Sequence, residues 1–267
     1  MSIVGVSLEK ELVSINLYLS YDIGYNIHST KKEQKMGTLT AILIIAALVV
    51  IHELGHAVCG WISGVKMKEF SVGIGPGLKI DLPENKYIGT LILSPLLIGG
   101  YVLPDKEQLD AIAKWRRILF YLGGVLANAA LASLILLLLG YPALKAIFGP
   151  FIITFIFPFL LGKFLILGFP EGGGIMGPIG IVSQLSGDFN PLFIANISLS
   201  LAALNILPIP PLDGGKIMCA LILEPLFGKA RAKKMEGVLS ILGIALFLTL
   251  LIYATSVDIA PKTPTGK

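Results

Sequence analysis

From residue 38 onward the chain alternates long apolar stretches with short polar islands. A hydrocarbon core of about 30 Å needs roughly 20 apolar residues as helix. The stretches at about 38–63, 118–140, 189–212 and 238–256 meet that requirement and predict membrane spans. A further apolar tract, 146–170, contains Pro150, Pro158 and Lys163. Proline inside a helix removes a donor and disrupts the ladder, so this tract reads as an interfacial segment, a re-entrant segment or a hairpin. Residues 70–103 follow a different pattern. FSVGIGPGLKIDL and YIGTLILSPLLIGGYVLP mix glycine and proline with β-branched and apolar residues. This predicts short strands and tight turns. Strand backbone at membrane depth must be buried in protein or line a wet cavity. The expected element is a β-hairpin that re-enters the membrane against the helices. The fold class is thus an α-helical polytopic membrane protein with a re-entrant β-hairpin element.

Composition agrees. Of 267 residues, 55% are hydrophobic and 14% charged, against about a quarter charged in an ordinary soluble domain; mean hydropathy is +0.83. This excludes a soluble globular domain, a disordered chain and a collagen-like chain. The net charge of +4 is too small an excess to suggest a nucleic-acid partner. Cys59 and Cys219 form no disulfide framework and read as small apolar packing residues. Basic residues suggest orientation. Residues 64–117 hold eight and residues 208–236 hold five, whereas 141–190 hold two. The positive-inside tendency places the first two regions in the cytoplasm. The tract 146–170 must then cross an even number of times, none or two. Residues 1–37 form a polar segment with no removable leader pattern, and 258–267 form a tail.

The chemistry lies in the exceptions to apolarity. Within the first span, residues 52–56 read HELGH. His52 and His56 are one turn apart on one helix face. That spacing lets two imidazoles hold one Zn²⁺, with Glu53 beside it as general base for a bound water. Ionisable groups in a span are costly and functional by default. A catalytic zinc takes three protein ligands and keeps one position open. His28, in the polar N-terminal region, is a poor third ligand. Asp213 stands out, ending an uncharged run in NILPIPPLDGGK, residues 205–216. Three prolines interrupt the helix before it, and Gly214 and Gly215 permit close approach of the backbone. Asp213 is either the third ligand or the N-cap of a following helix. Asn205 either hydrogen-bonds between helices or faces a substrate.

HELGH in a first transmembrane helix, with NILPIPPLDG far downstream, resembles the site-2 protease family of intramembrane zinc metalloproteases. The resemblance covers roughly residues 38–256. FSVGIGP at 70–76, SPLLIGGYV at 94–102, RILFYLGGVLAN at 117–128 and MGPIGI at 176–181 resemble further family segments. The chain departs where the family often has Gly-Pro-x-x-Asn, showing Gly124-Val125-Leu126-Ala127-Asn128. It also has Leu96-Leu97-Ile98 before Gly99-Gly100-Tyr101, where the family often has Leu-Pro. No PDZ or CBS module is expected.

The resemblance implies that His52, His56 and Asp213 hold one Zn²⁺ and that Glu53 handles the proton of the attacking water. It also implies substrates that are transmembrane helices of membrane proteins in a lipid bilayer. The setting it implies is a multi-pass protein of a prokaryotic-type cell membrane, with the site toward the cytoplasm and a regulatory membrane partner. A helical substrate must unwind before its peptide bonds are accessible. The stretch Leu91–Tyr101 is expected to offer a strand edge for it, through Leu91, Ile92, Leu93, Gly99, Gly100 and Tyr101, with Asn205 holding the substrate backbone. The rival readings are a membrane ion or metal carrier, which would show matching half-repeats, a catalytically inactive zinc scaffold, and a zinc hydrolase acting on lipid.

Overall fold

The computed structural model describes residues 37–83, 87–167, 178–186 and 190–259. Expectations for His28, the rest of residues 1–36, Asp188 and the tail from residue 260 fall outside these residues. Helix α1 (Thr38–Ile62) leads into strands β1 (Met67–Ile74), β2 (Leu78–Asp81), β3 (Ile88–Leu93) and β4 (Leu96–Pro104). Then come α2 (Lys106–Ala111), α3 (Lys114–Leu138), α4 (Ala143–Leu167), α5 (Pro178–Ser186) and α6 (Pro191–Asn205). The chain continues through α7 (Asp213–Met218), a π-helical turn (Cys219–Leu223), α8 (Glu224–Phe227) and α9 (Lys229–Ile259).

Among the described residues, four helices are long and apolar enough to cross a membrane: Thr38–Ile62, Lys114–Leu138, Ala143–Gly162 and Lys229–Ile259. They leave Leu43, Leu138, Phe159, Ile241 and Ile252 exposed, an apolar surface that suits lipid rather than water. Two elements differ from the sequence expectation. As far as the described residues go, to Leu167, the tract 146–170 is neither broken nor looped but lies in one helix that runs through Pro150 and Pro158. Apolar length wins over the prolines, as in many membrane helices where other groups re-satisfy the backbone. Separately, the Thr154 hydroxyl donates to the Pro150 carbonyl one turn back at 2.8 Å. Conversely, the expected span 189–212 contains a helix of only 15 residues. At 1.5 Å per residue it reaches about 22 Å, short of the hydrocarbon core. Asn190 caps its start by accepting from the Leu192 and Phe193 amides, and the turn holding Pro208, Pro210 and Pro211 follows its end. The Pro210–Pro211 bond is cis.

The strands form one four-stranded sheet in the order β2-β3-β1-β4. β1 pairs in parallel with β3 and antiparallel with β4, while β2 and β3 pair antiparallel. The expected single hairpin is therefore a sheet in which β3 and β4 flank β1 instead of pairing with each other. Its outer edges are β2 and β4.

Two close approaches fix the frame of the site. α1 crosses α3 at Gly55 and Gly123, where a Cβ on either residue would run into the other's backbone. Small residues let helix backbones touch, and in lipid such packing, not the hydrophobic effect, drives helix association. Beside this crossing, Ala57, Val65, Met67, Phe70, Leu109 and Phe120 form a buried cluster that joins α1, β1, α2 and α3. At the same end Arg117 is buried and pairs with Glu224 and, at 3.6 Å, with Asp110. Asp110 also meets Lys229 at 3.4 Å. These pairs bring the basic stretches 64–117 and 208–236 together at one end of the helices.

Candidate metal centre

α1 places His52 and His56 on one face, as their spacing of four requires. α7 supplies Asp213 from the other side. His52 Nε2 lies 3.0 Å from Asp213 Oδ2, and His56 Nε2 lies 3.1 Å from the same oxygen. The two Nε2 atoms are 3.3 Å apart. All three residues are buried. The capping alternative for Asp213 does not hold. The cap position of α7 is Leu212, without a side-chain cap bond, and Asp213 is the first helical residue. Its Oδ1 receives Lys216 Nζ at 3.3 Å, leaving Oδ2 to face the imidazoles.

The donor set fits a metal ion. His56 Nδ1 sits 2.8 Å from the Phe120 carbonyl. A carbonyl only accepts, so that nitrogen carries the proton and Nε2 presents a lone pair. A second imidazole nitrogen and a carboxylate oxygen meet it at the same point, an arrangement that a cation resolves. The edge of a tetrahedron with bonds of about 2.0–2.1 Å is about 3.3–3.4 Å. The observed separations of 3.0, 3.1 and 3.3 Å lie close to that edge. Among the described residues these three form the one group of metal-binding type.

Glu53 lies next to His52 on α1 and lines, with all three, a cavity of about 890 Å³. Tyr101 and Asn205 also line it, as do Arg117, Lys216 and Lys233. β4 runs beside Glu53: a Cβ on Gly100 would lie 3.7 Å from Glu53 Cγ and collide with the Ser71 carbonyl of β1. Gly99 is buried, with a Cβ there meeting the Ile74 side chain. Tyr101 is exposed and its hydroxyl donates to Glu69 at 2.7 Å.

The remaining residues expected at the substrate fall in different places. Leu91, Ile92 and Leu93 lie on β3, between β1 and β2, where both sides of the strand are paired. They cannot form a free edge. A stretch rich in β-branched and apolar residues predicts strand, but not which strand is outermost. Asn205 donates to the Leu201 carbonyl of its own helix at 3.0 Å. Among the described residues no hydrogen bond from Asn205 to another helix is seen.

Three contributors escaped the sequence reading. The Phe120 carbonyl is invisible to it, since any residue has one. Lys216 read as one more basic residue. Asn128, a polar residue in an uncharged span, carried the signal that intramembrane polar groups are functional.

Residues 40–250 match the model of peptidase family M50. Several curated relatives provisionally named as zinc metalloproteases are similar to parts of the chain. One from Borreliella burgdorferi is 34% identical over 112 residues, 35% of this chain and 25% of that protein. One from Clostridium acetobutylicum is 35% identical over 109 residues, 38% of this chain and 31% of that protein. One from Streptococcus pyogenes serotype M1 is 37% identical over 67 residues, 25% of this chain and 16% of that protein. The matched stretch thus spans under a third of each of these relatives.

Proposed function

Because this chain belongs to peptidase family M50, the site-2 protease family, we propose that it is a zinc-dependent endopeptidase cutting transmembrane segments of membrane proteins within the bilayer. The carrying observation is the meeting of His52 and His56, on a membrane-length helix, with Asp213 at one buried point, with Glu53 beside them.

His52, His56 and Asp213 would hold the ion. A zinc ion so held supplies Lewis-acid polarisation of the scissile carbonyl and lowers the pKa of water. Glu53 takes a proton from the attacking water on its carboxylate and returns it to the leaving amine. The cavity lets that water reach a buried site. Lys216 holds Asp213 Oδ1, so a single carboxylate oxygen is turned inward.

β4 receives the substrate. It is an outer strand, and its Gly100 lies against Glu53. An unwound segment adding to that edge would pass the reacting groups in extended form, with its backbone bonds satisfied by the strand. Gly99, Gly100 and Tyr101 belong to this edge, and Asn205 faces the same cavity. The sheet sits at membrane depth as a re-entrant element. His56 is six residues from the end of α1, about 9 Å of helix. The basic stretches share that end, so the site opens toward the cytoplasm of a prokaryotic-type cell membrane. Access and timing fall to a regulatory membrane partner.

The test is cleavage of a membrane-embedded reporter helix by the purified protein. Wild type cuts it. Glu53→Gln folds, keeps one zinc and does not cut. Undiminished cutting by that variant would overturn the assignment of the base.

A further inference from the structure

We propose that Asn128 is a positioning residue that sets the tautomer and ring plane of His52. It rests on the reading of His52, His56 and Asp213 as zinc ligands. Asn128 is fully buried in α3, and its side-chain nitrogen lies 3.4 Å from His52 Nδ1. Its Oδ1 has no hydrogen-bond partner among the described residues. A buried amide oxygen without a partner costs free energy, so a role for it is expected at this spot. The Asn128 carbonyl accepts from the Ser198 hydroxyl of α6 at 2.9 Å, which ties its backbone to a second helix.

The residue belongs to a stripe. Phe120, Gly124 and Asn128 recur at intervals of four on α3 and so share one face. Phe120 gives its carbonyl to His56 Nδ1. Gly124 leaves room for the His52 imidazole, since any Cβ there would overlap the ring. Asn128 stands at His52 Nδ1. One face of α3 therefore serves the outer nitrogen of both imidazoles and the flat side of one.

The amide suits both protonation arrangements of His52. When Nε2 binds metal, Nδ1 carries the proton and needs an acceptor, which the Asn128 oxygen provides after a half-turn of the amide. When Nε2 carries the proton and donates to Asp213, Nδ1 is a lone pair and the Asn128 nitrogen donates to it. Oxygen and nitrogen of an amide exchange places without other movement. The first arrangement fixes ring orientation and raises ligand basicity; loss of such a partner typically costs about 10–100-fold in metal affinity.

The experiment measures zinc affinity of the full-length protein in detergent by competition with a chromophoric chelator, with the Co²⁺ absorption spectrum as second readout. Asn128→Leu and Asn128→Ala remove the amide. Asn128→Asp keeps an acceptor at Nδ1. The expected result is zinc binding weakened about 10–100-fold in the Leu and Ala variants, with altered Co²⁺ bands, and affinity within about 3-fold of wild type for Asp. Wild-type affinity in either apolar variant that folds would overturn the proposal. So would an Asp variant as weak as Ala or, if neither apolar variant folds, one more than about tenfold weaker than wild type. A wild-type protein that binds no zinc would overturn the ligand assignment as well, which separates the two failures.

Discussion

Gly124→Ala probes how tightly α3 frames the centre. A Cβ built at Gly124 would lie 2.6 Å from both Cδ2 and Cε1 of His52. Carbon atoms reach their optimum at about 3.5–4.0 Å. The imidazole must therefore retreat by about 1 Å, or α1 must lift from α3. The second route would break the close backbone approach of Gly55 to Gly123, the residue beside Gly124. Overpacking of this kind costs about 1–3 kcal/mol. A misplacement of about 1 Å in catalytic geometry costs on the order of 100-fold in rate. The expected outcome is a folded protein, destabilised by about 1–3 kcal/mol, with cleavage of a reporter helix reduced about 100-fold. Gly149→Ala is the control. Nothing lies within 4 Å of a Cβ at Gly149, and alanine in an open helical position is neutral or stabilising by about 0.5–1 kcal/mol. The assay pairs reporter cleavage with thermal unfolding in detergent and zinc analysis. Gly124→Ala cutting at the wild-type rate with full zinc would refute the reasoning.

Other outcomes follow from the same geometry. Asp213→Ala should abolish stoichiometric zinc in metal analysis of the purified protein, because two imidazoles remain where three ligands met. Gly100→Val should keep zinc but lose reporter cleavage, since the side chain would strike the Ser71 carbonyl and crowd Glu53. Arg117→Met leaves Glu224 without its buried cation and Asp110 with Lys229 alone; because both carboxylates keep some contact with solvent, the cost stays below the about 3–5 kcal/mol of a fully buried pair, read as a lower unfolding temperature. The Asp105 carboxyl is held below the ordinary carboxylate range, first by the Gln108 amide and also by Lys68. Its capping of α2 is therefore complete above the ordinary value and is lost as pH falls through the lowered one, visible as faster amide exchange over Lys106–Ala111 in acid.

Legibility in the sequence followed physical locality. The histidine pair was readable because a helix converts a spacing of four into a shared face. Asp213 was conspicuous as a charge ending an uncharged run, but its ligand role against a capping role depended on where Leu212 and the turn before it lie. The strands of 70–103 were legible as strands, whereas their order was not, since a parallel pairing of β1 with β3 joins residues that no local pattern links. That is why Leu91, Ile92 and Leu93 were expected at an edge and lie inside. Pro150 and Pro158 read as breaks, yet α4 passes through both, because a long apolar stretch gains more from staying helical than it loses at two donors. The helix over 191–205 was overread in length, since its apolar run continues into a proline turn that is equally apolar. Asn128 was legible as the end of a family-like segment, but its place beside His52 was not until α3 was set against α1.

The central claim, a metal centre that cuts peptide bonds inside the membrane, is tested most directly by mass-spectrometric mapping of the cut in a reporter helix held in vesicles with the purified protein. The predicted result is cleavage within the apolar segment that stops on chelation and returns with zinc. No cleavage with zinc bound, or cuts confined to the exposed flanks, would contradict it.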